Sequence, residues 1–289
     1  MRIVLTRLEG CLLDPQTKSY GAARQALAAL ERRSIPLLLI SHWTRAQVDK
    51  IRQQLQLQHP FVVEAGTVIY LPEHYFPASI LDECWHLQLD FFRRAVGLPY
   101  QDLRQSLGQV RSQLQMDLVG FGDWTVEELA MTYGFTVEDA DLAKARETSE
   151  IFSYAGHPEQ LYMLLSQELE AQGYHLHLSP LESLSLPHQW YLTTSLSSCP
   201  DPVRQSTQIL VDCYRSHLGV VSSLGMSCLP ADTGFLGLTG TRIVLPGPHR
   251  EPRWAETTQD WHLAQLPGPE GWNEAVLMWL EETDHGDDE

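Results

Sequence analysis

The chain has 289 residues and a mass of 32.8 kDa, room for one large domain or two modest ones. Its 43% hydrophobic content is ample for a core. A formal charge of −17 argues against nucleic acid and anionic membrane surfaces as partners, because their phosphates would be repelled. No apolar run approaches the ~18–20 residues of a spanning helix, and the N-terminus enters a strand with no signal-peptide layout, so no membrane insertion is expected. The five cysteines (Cys11, Cys84, Cys199, Cys213 and Cys228) are scattered and form no CxxC pair. That is free-thiol usage in a reducing compartment, and a cytoplasmic protein is expected. Residues 281–289 read as a frayed acidic end.

In chain order, residues 1–6 read as a strand entering a sheet, stopped by a turn at Gly10. Ligands of open α/β sheets bind just beyond the carboxyl ends of the strands, so chemistry is expected at residues 7–11. Residues 18–34 carry helical spacing, 35–40 a buried strand, 46–55 a second helix, 60–64 a third strand and 67–71 a hairpin arm. This alternation predicts a doubly wound α/β sheet. Residues 82–118 are expected to be helical with a break at Gly97-Leu98-Pro99. Thr125-Val126-Glu127-Glu128 and Thr136-Val137-Glu138-Asp139 each carry a helix-capping signature. Strands at 151–154 and 174–178 flank a helix at 157–171, and core-like sequence returns near 190. There follow a strand at 190–194, a helix at 203–217, strands at 220–225 and 242–245, and a final helix at 272–282. The expected organisation is a core made of 1–82 and 190–289, interrupted by an inserted α+β cap at 83–189.

Six stretches carry a family resemblance. Arg7-Leu8-Glu9-Gly10-Cys11-Leu12-Leu13-Asp14 resembles motif I of the haloacid dehalogenase phosphatases, which runs Asp-x-Asp-Gly-Thr-Leu-Leu-Asp. Gly122-Asp123-Trp124-Thr125-Val126-Glu127-Glu128, residues 143–152 and residues 267–276 look like cap and C-terminal signatures of the mannosyl-3-phosphoglycerate phosphatases. Residues 36–45 and 61–70 are similar to that family's motif II strand and its Glu-Asn-Gly segment. The resemblance spans nearly the whole chain and implies a Rossmann-like core whose mobile cap encloses a phosphorylated sugar acid.

The resemblance also implies a catalytic set: a nucleophilic aspartate, an acid/base aspartate, a lysine and a Gly-Asp-x-x-x-Asp magnesium site. Here Arg7 stands at the nucleophile, Glu9 at the acid/base and Cys11 at the threonine. The overlay puts Pro202 or Val203 at the lysine and Met226 at the first metal aspartate. Asp232 stands for the second only with about two residues inserted. Ser41 alone is kept. A guanidinium stays protonated and cannot attack phosphorus. Losing a covalent nucleophile costs roughly six decades of rate in a serine protease, and losing metal ligands removes charge neutralisation as well.

Two uses of Arg7 stay open. With Ser41 and the backbone amides after Gly10 it would hold a phosphate or carboxylate without turnover; alternatively it salt-bridges Glu9 or Asp232 and plugs the pocket. Arg146, Ser149 and Glu150 match the cap motif and imply ligand-facing groups on the lid; a helix-end ion pair with a cap hydroxyl is the plainer alternative. Glu64-Ala65-Gly66 keeps the family's turn but loses its asparagine amide. His175 and His177 share a strand face, where a structural pair is favoured over a metal site. His42 beside Ser41 raises a Ser/His site, though neighbouring residues at a strand end point apart. Trp261, Trp272 and Trp279 read as core aromatics.

The expected function is that of an inactive phosphatase homologue acting by binding, either a phosphorylated sugar acid or a protein partner. No cofactor is expected. The alternatives are an active magnesium-dependent sugar-phosphate phosphatase with a relocated carboxylate, Glu9 or Asp14, and a scaffold with no small ligand.

Overall fold

The computed structural model describes residues 1–115, 118–154, 158–171, 175–177, 189–195, 201–219, 221–229, 232–247 and 260–286. Strand β1 (Arg2–Arg7) is the spine: Ile3 to Arg7 are all buried, as a strand covered on both faces must be. It pairs in parallel with β2 (Leu37–Ile40) on one side and β11 (Ser222–Ser227) on the other. The parallel ladder extends through β3 (Phe61–Val63) at one end, and through β12 (Thr241–Val244) and β13 (His262–Leu263) at the other. Helices α1 (Arg24–Arg32) and α2 (Arg45–Gln54) make the first crossovers. Thr44 starts α2 as a capping box, exchanging side chain and backbone bonds with Gln47.

Beyond β3 the sheet turns antiparallel. Strand β4 (Val68–Pro72) returns as the expected hairpin arm, followed by β6 (Phe91–Ala95) and β5 (His86–Gln88) at the edge. The described residues thus give a nine-stranded sheet, ordered β13-β12-β11-β1-β2-β3-β4-β6-β5. The helix expected from residue 82 is therefore corrected. Phe91-Phe92-Arg93-Arg94 pairs with the aromatic face of β4, Phe91 lying edge-on to Phe61 and Tyr70, and that packing outweighs the helical pattern. Helix α3 (Tyr100–Leu114) begins only after the Gly97-Leu98-Pro99 break.

A second sheet, antiparallel and four-stranded, has the order β7-β8-β10-β9, from β7 (Leu118–Gly120), β8 (Glu150–Tyr154), β10 (Gln189–Ser195) and β9 (His175–His177). Between β7 and β8 lie α4 (Val126–Tyr133), capped by Thr125 as a capping box, and α5 (Val137–Lys144), capped by Thr136. Helix α6 (Pro158–Glu170) follows β8. Residues 86–95 pair within the large sheet and 189–195 within the small one. The side chains of His175 and His177 lie outside the described residues.

Two apolar layers sandwich the large sheet. One joins Val4, Leu8, Leu39, Leu224 and Met226 to α1 and to α9 (Gly268–Gly286), with Trp272 and Trp279 buried in it. The other joins Ile3, Leu5, Leu38 and Ile40 to α7 (Pro202–Leu218) and α8 (Thr233–Leu236). Trp272 and Trp279 are core residues, and the Trp272 indole donates to Thr6 Oγ1 at 3.0 Å. No described helix is long and apolar enough to cross a membrane.

Helix α7 starts with Pro202 behind an Asp201 cap that accepts the Arg204 amide. Its first turn sits on Gly66, whose φ is +99° and whose missing Cβ would meet Val203 N at 2.4 Å. Ser206 Oγ donates to the Gly66 carbonyl. Gly66→Ala therefore combines left-handed strain with a backbone clash. It is expected to destabilise the fold by about 3 kcal/mol or more, read from the urea midpoint; a loss under about 1 kcal/mol would contradict this seating.

Candidate functional site

The carboxyl ends of β1, β2 and β11 meet at Arg7, which is 1% exposed. Its Nε donates to Asp232 Oδ2 at 2.8 Å and its Nη2 to Asp232 Oδ1. Ser227 Oγ also donates to Asp232 Oδ2 and in turn accepts the Leu229 amide at 3.0 Å. Asp232 is fully buried and thus takes three donors. Burial alone would lower the Arg7 pKa. The charge and hydrogen bonds of Asp232 outweigh it, and the guanidinium is held more firmly protonated than usual. Arg7 Nη1 is buried with no partner among the described residues.

Glu9 follows on the same loop. Its Oε1 accepts from Ser41 Oγ at 2.6 Å and from the His42 amide at 3.0 Å. Its Oε2 is buried without a partner among the described residues. Burial raises the Glu9 pKa, although Arg7 and Ser41 pull the other way. Gly10 makes the turn with φ +73°, where a Cβ would meet Cys228 Sγ at 2.8 Å, and its amide donates to Leu13 O at 3.0 Å. Cys11 is buried beside Cys228, which raises its pKa by burial and by their mutual contact. The His42 pKa is depressed by burial and by the Arg7 and Arg146 charges, so its imidazole is neutral.

The two readings of Arg7 are thus separated: it is ion-paired to Asp232. Ser41 Oγ donates its hydrogen bond to Glu9, so the expected cradle of Arg7, Ser41 and the amides after Gly10 is largely spent on internal bonds. Met226, which the overlay sets at the first metal aspartate, lies on β11. Its side chain packs into the apolar layer with Val4 and Leu224, and the β11 group that faces the ion pair is Ser227, one residue on. Sequence overlay missed Ser227 because a serine at that spacing has no place in the acidic motif. Pro202 and Val203 form the buried first turn of α7 and carry no charge. Asp14 Oδ1 is tied into its own turn by the Gln16 and Thr17 amides and the Thr17 hydroxyl.

The magnesium implied by the resemblance needs hard oxygen donors. Asp232 is saturated by Arg7 and Ser227, Met226 offers only a thioether, and a fixed cation stands beside them. No cluster of three His, Cys, Asp or Glu side chains among the described residues could hold a metal. The residues present do not fit the ion.

The cap meets the core a few ångströms away. Thr44 Oγ1 donates to Leu142 O at 2.7 Å, and Lys50 reaches Glu138 and Asp139 at 3.0 and 3.3 Å. Arg146 donates to the His42 carbonyl at 3.1 Å and to Ser149 Oγ at 2.8 Å. The Glu64 carboxylate accepts the Glu147 amide at 2.8 Å, the Thr148 amide at 3.0 Å and the Ser149 hydroxyl at 2.6 Å. Glu147 is gripped by Tyr70 and by Arg93, the latter at 2.7 Å. Arg146 and Ser149 therefore do sit at the cap–core joint. Glu150 instead turns into the cap, accepting the Gly122 amide at 3.2 Å, with Arg104 3.8 Å away.

No family model matches the chain. The glucosyl-3-phosphoglycerate/mannosyl-3-phosphoglycerate phosphatase of Methanococcoides burtonii is 26% identical over 277 residues, covering 95% of this chain and 96% of the relative. The protein of the same name from Persephonella marina is 23% identical over 290 residues, covering 98% and 99%. A solved haloacid dehalogenase-like hydrolase from B. subtilis superposes with a TM-score of 0.60 at 13% identity, covering 96% of this chain and 99% of its own. The fold is that of the haloacid dehalogenase-like hydrolases. Along essentially its whole length the chain is similar to the two phosphatases named above, as the sequence blocks implied.

The pH dependence of Glu9 follows from its raised pKa. The folded state binds this proton more tightly than the unfolded state, so the contribution is full below about 4.5, the ordinary value, and is lost as pH rises through the folded pKa. Glu9→Gln keeps an acceptor for Ser41 and removes the titration. The variant's melting temperature should gain on wild type between pH 4.5 and pH 7.5; a constant or shrinking difference would contradict the buried-acid assignment.

Proposed function

We propose that this chain is a phosphatase-type protein that binds an anionic sugar acid between cap and core without transferring its phosphoryl group. The observation that carries the reading is the buried Arg7–Asp232 pair. On the family overlay it sets a permanent cation where an attacking oxygen is required, and it occupies a buried carboxylate that a metal would need. Glu9 supports the same reading: one oxygen is committed to Ser41 and His42, and burial favours its protonated, non-nucleophilic form. The ligand class, a phosphorylated sugar acid, rests on the similarity to the phosphatases named above.

A second reading has its own support. Relatives matched from end to end are named as phosphatases, and Glu9 Oε2 is a carboxylate oxygen with no partner among the described residues. On that reading the protein is an active magnesium-dependent sugar-phosphate phosphatase using Glu9. A scaffold role without a small ligand predicts no stabilisation by any phosphorylated sugar.

Phosphate release from a panel of sugar phosphates and glycosyl-3-phosphoglycerates, with and without magnesium, separates the readings when run beside thermal shifts. Expected is stabilisation by a phosphorylated sugar acid with no release above the protein-free blank. Magnesium-dependent release abolished by Glu9→Gln or Asp232→Asn would establish the phosphatase reading instead.

A further inference from the structure

The cap loop at residues 146–149 has the chemistry of a carboxylate receptor. Two successive amides, of Glu147 and Thr148, and the Ser149 hydroxyl converge on one carboxylate at 2.6–3.0 Å, with the Arg146 Nε 4.0 Å from the same group. Adjacent amides aimed at one point form an anion-binding concavity. The carboxylate inside is the chain's own Glu64, on the core side of the joint, and both Glu64 and Ser149 are fully buried.

Glu64 is held there at a conformational cost. Glu64, Ala65 and Gly66 all have left-handed backbones, with φ of 52°, 56° and 99°, and only the third is glycine. A non-glycine residue is strained in that region by its Cβ, so other bonds must hold the turn. The Glu64 and Ala65 amides donate to Trp43 O and Ser41 O, both at 2.9 Å, which ties the turn to the loop that carries Ser41. The neighbouring Thr67 carbonyl accepts the Val96 and Gly97 amides, where the chain leaves the large sheet for the cap. One strained turn therefore touches the Ser41 loop, the exit to the cap and the cap loop itself.

We propose that Glu64 is an internal occupant of a carboxylate site on the cap and latches the cap shut: an incoming carboxylate or phosphate reaches the 146–149 amides, Ser149 and Arg146 only by displacing it. This deepens the binding reading and rests on it for the ligand class, not for the latch itself. It assigns the joint a bistable exchange, an internal carboxylate against an external one. The strained turn biases that exchange toward release.

Chemical rescue tests the latch without any phosphorylated substrate, so its outcome is independent of whether the protein turns one over. Glu64→Ala should lower the melting temperature by about 5–10 °C. Formate or acetate should restore at least half of that loss saturably, while chloride at equal ionic strength does not, and wild type should be unmoved by the same additions. A folded variant that no carboxylate rescues would overturn the proposal.

Hydrogen exchange in the wild-type protein gives a second, variant-free measurement. The Glu147 and Thr148 amides should exchange through local opening, with clearly less protection than the β1 amides. Protection equal to that of β1 would mark Glu64 as a permanent structural clamp and overturn the latch even if Glu64→Ala does not fold.

Discussion

The Arg7–Asp232 pair constrains everything else at the mouth of the sheet. Two opposite charges buried between apolar layers are tolerated only when their geometry is good and their remaining bonds are satisfied. Here the fork of the guanidinium meets both carboxylate oxygens and Ser227 adds a third donor, while Arg7 Nη1 stays without a partner among the described residues. Removing one partner of such a pair costs about 3–5 kcal/mol, whereas replacing both by apolar groups is often neutral. The pair is therefore a commitment more than a source of stability: once Arg7 is present, Asp232 must answer it. That requirement removes the carboxylate from service as a metal ligand. Its anion is internal, and so is its cation.

From this pair a chain of bonds runs to the cap. Glu9, held near Arg7, accepts from the Ser41 hydroxyl and the His42 amide; the His42 carbonyl accepts from Arg146; Arg146 donates to Ser149, and the Ser149 hydroxyl donates to Glu64. Each link is a buried or half-buried polar group whose loss would leave its neighbour unsatisfied, which is why such networks behave as units. The first loop and the cap loop are thus mechanically joined although no covalent chemistry connects them.

Much of this was legible in the sequence, and for reasons that can be named. Buried parallel strands have to be continuous apolar runs, so residues 1–6 and 35–40 announced themselves. Thr125 and Thr136 announced their helices because a cap is a local bond. The strands at 86–95 were missed because their stability comes from aromatic pairing with β4, a contact distant in sequence. The strand at 190–194 reads as core-like for a related reason: it is as strand-like as the core, and its pairing with β8 is not local. At the site, the substitution of Arg7 was plain, yet its partner was not. Asp232 lies 225 residues away, and the serine that completes the pair stands one position from where the overlay looked. Glu64 was read as part of a turn because nothing local says that its carboxylate is held by amides 83 and 84 residues further on.

The central claim is that a fixed internal ion pair stands where phosphoryl transfer would need an attacking carboxylate and a metal. A high-resolution crystal structure grown with magnesium and beryllium fluoride tests it most directly. The account predicts Arg7 still forked onto Asp232, with neither magnesium nor trifluoroberyllate density at Glu9 or Asp232. A trifluoroberyllate bonded to Glu9 beside a magnesium ion, with Arg7 swung away from Asp232, would contradict it.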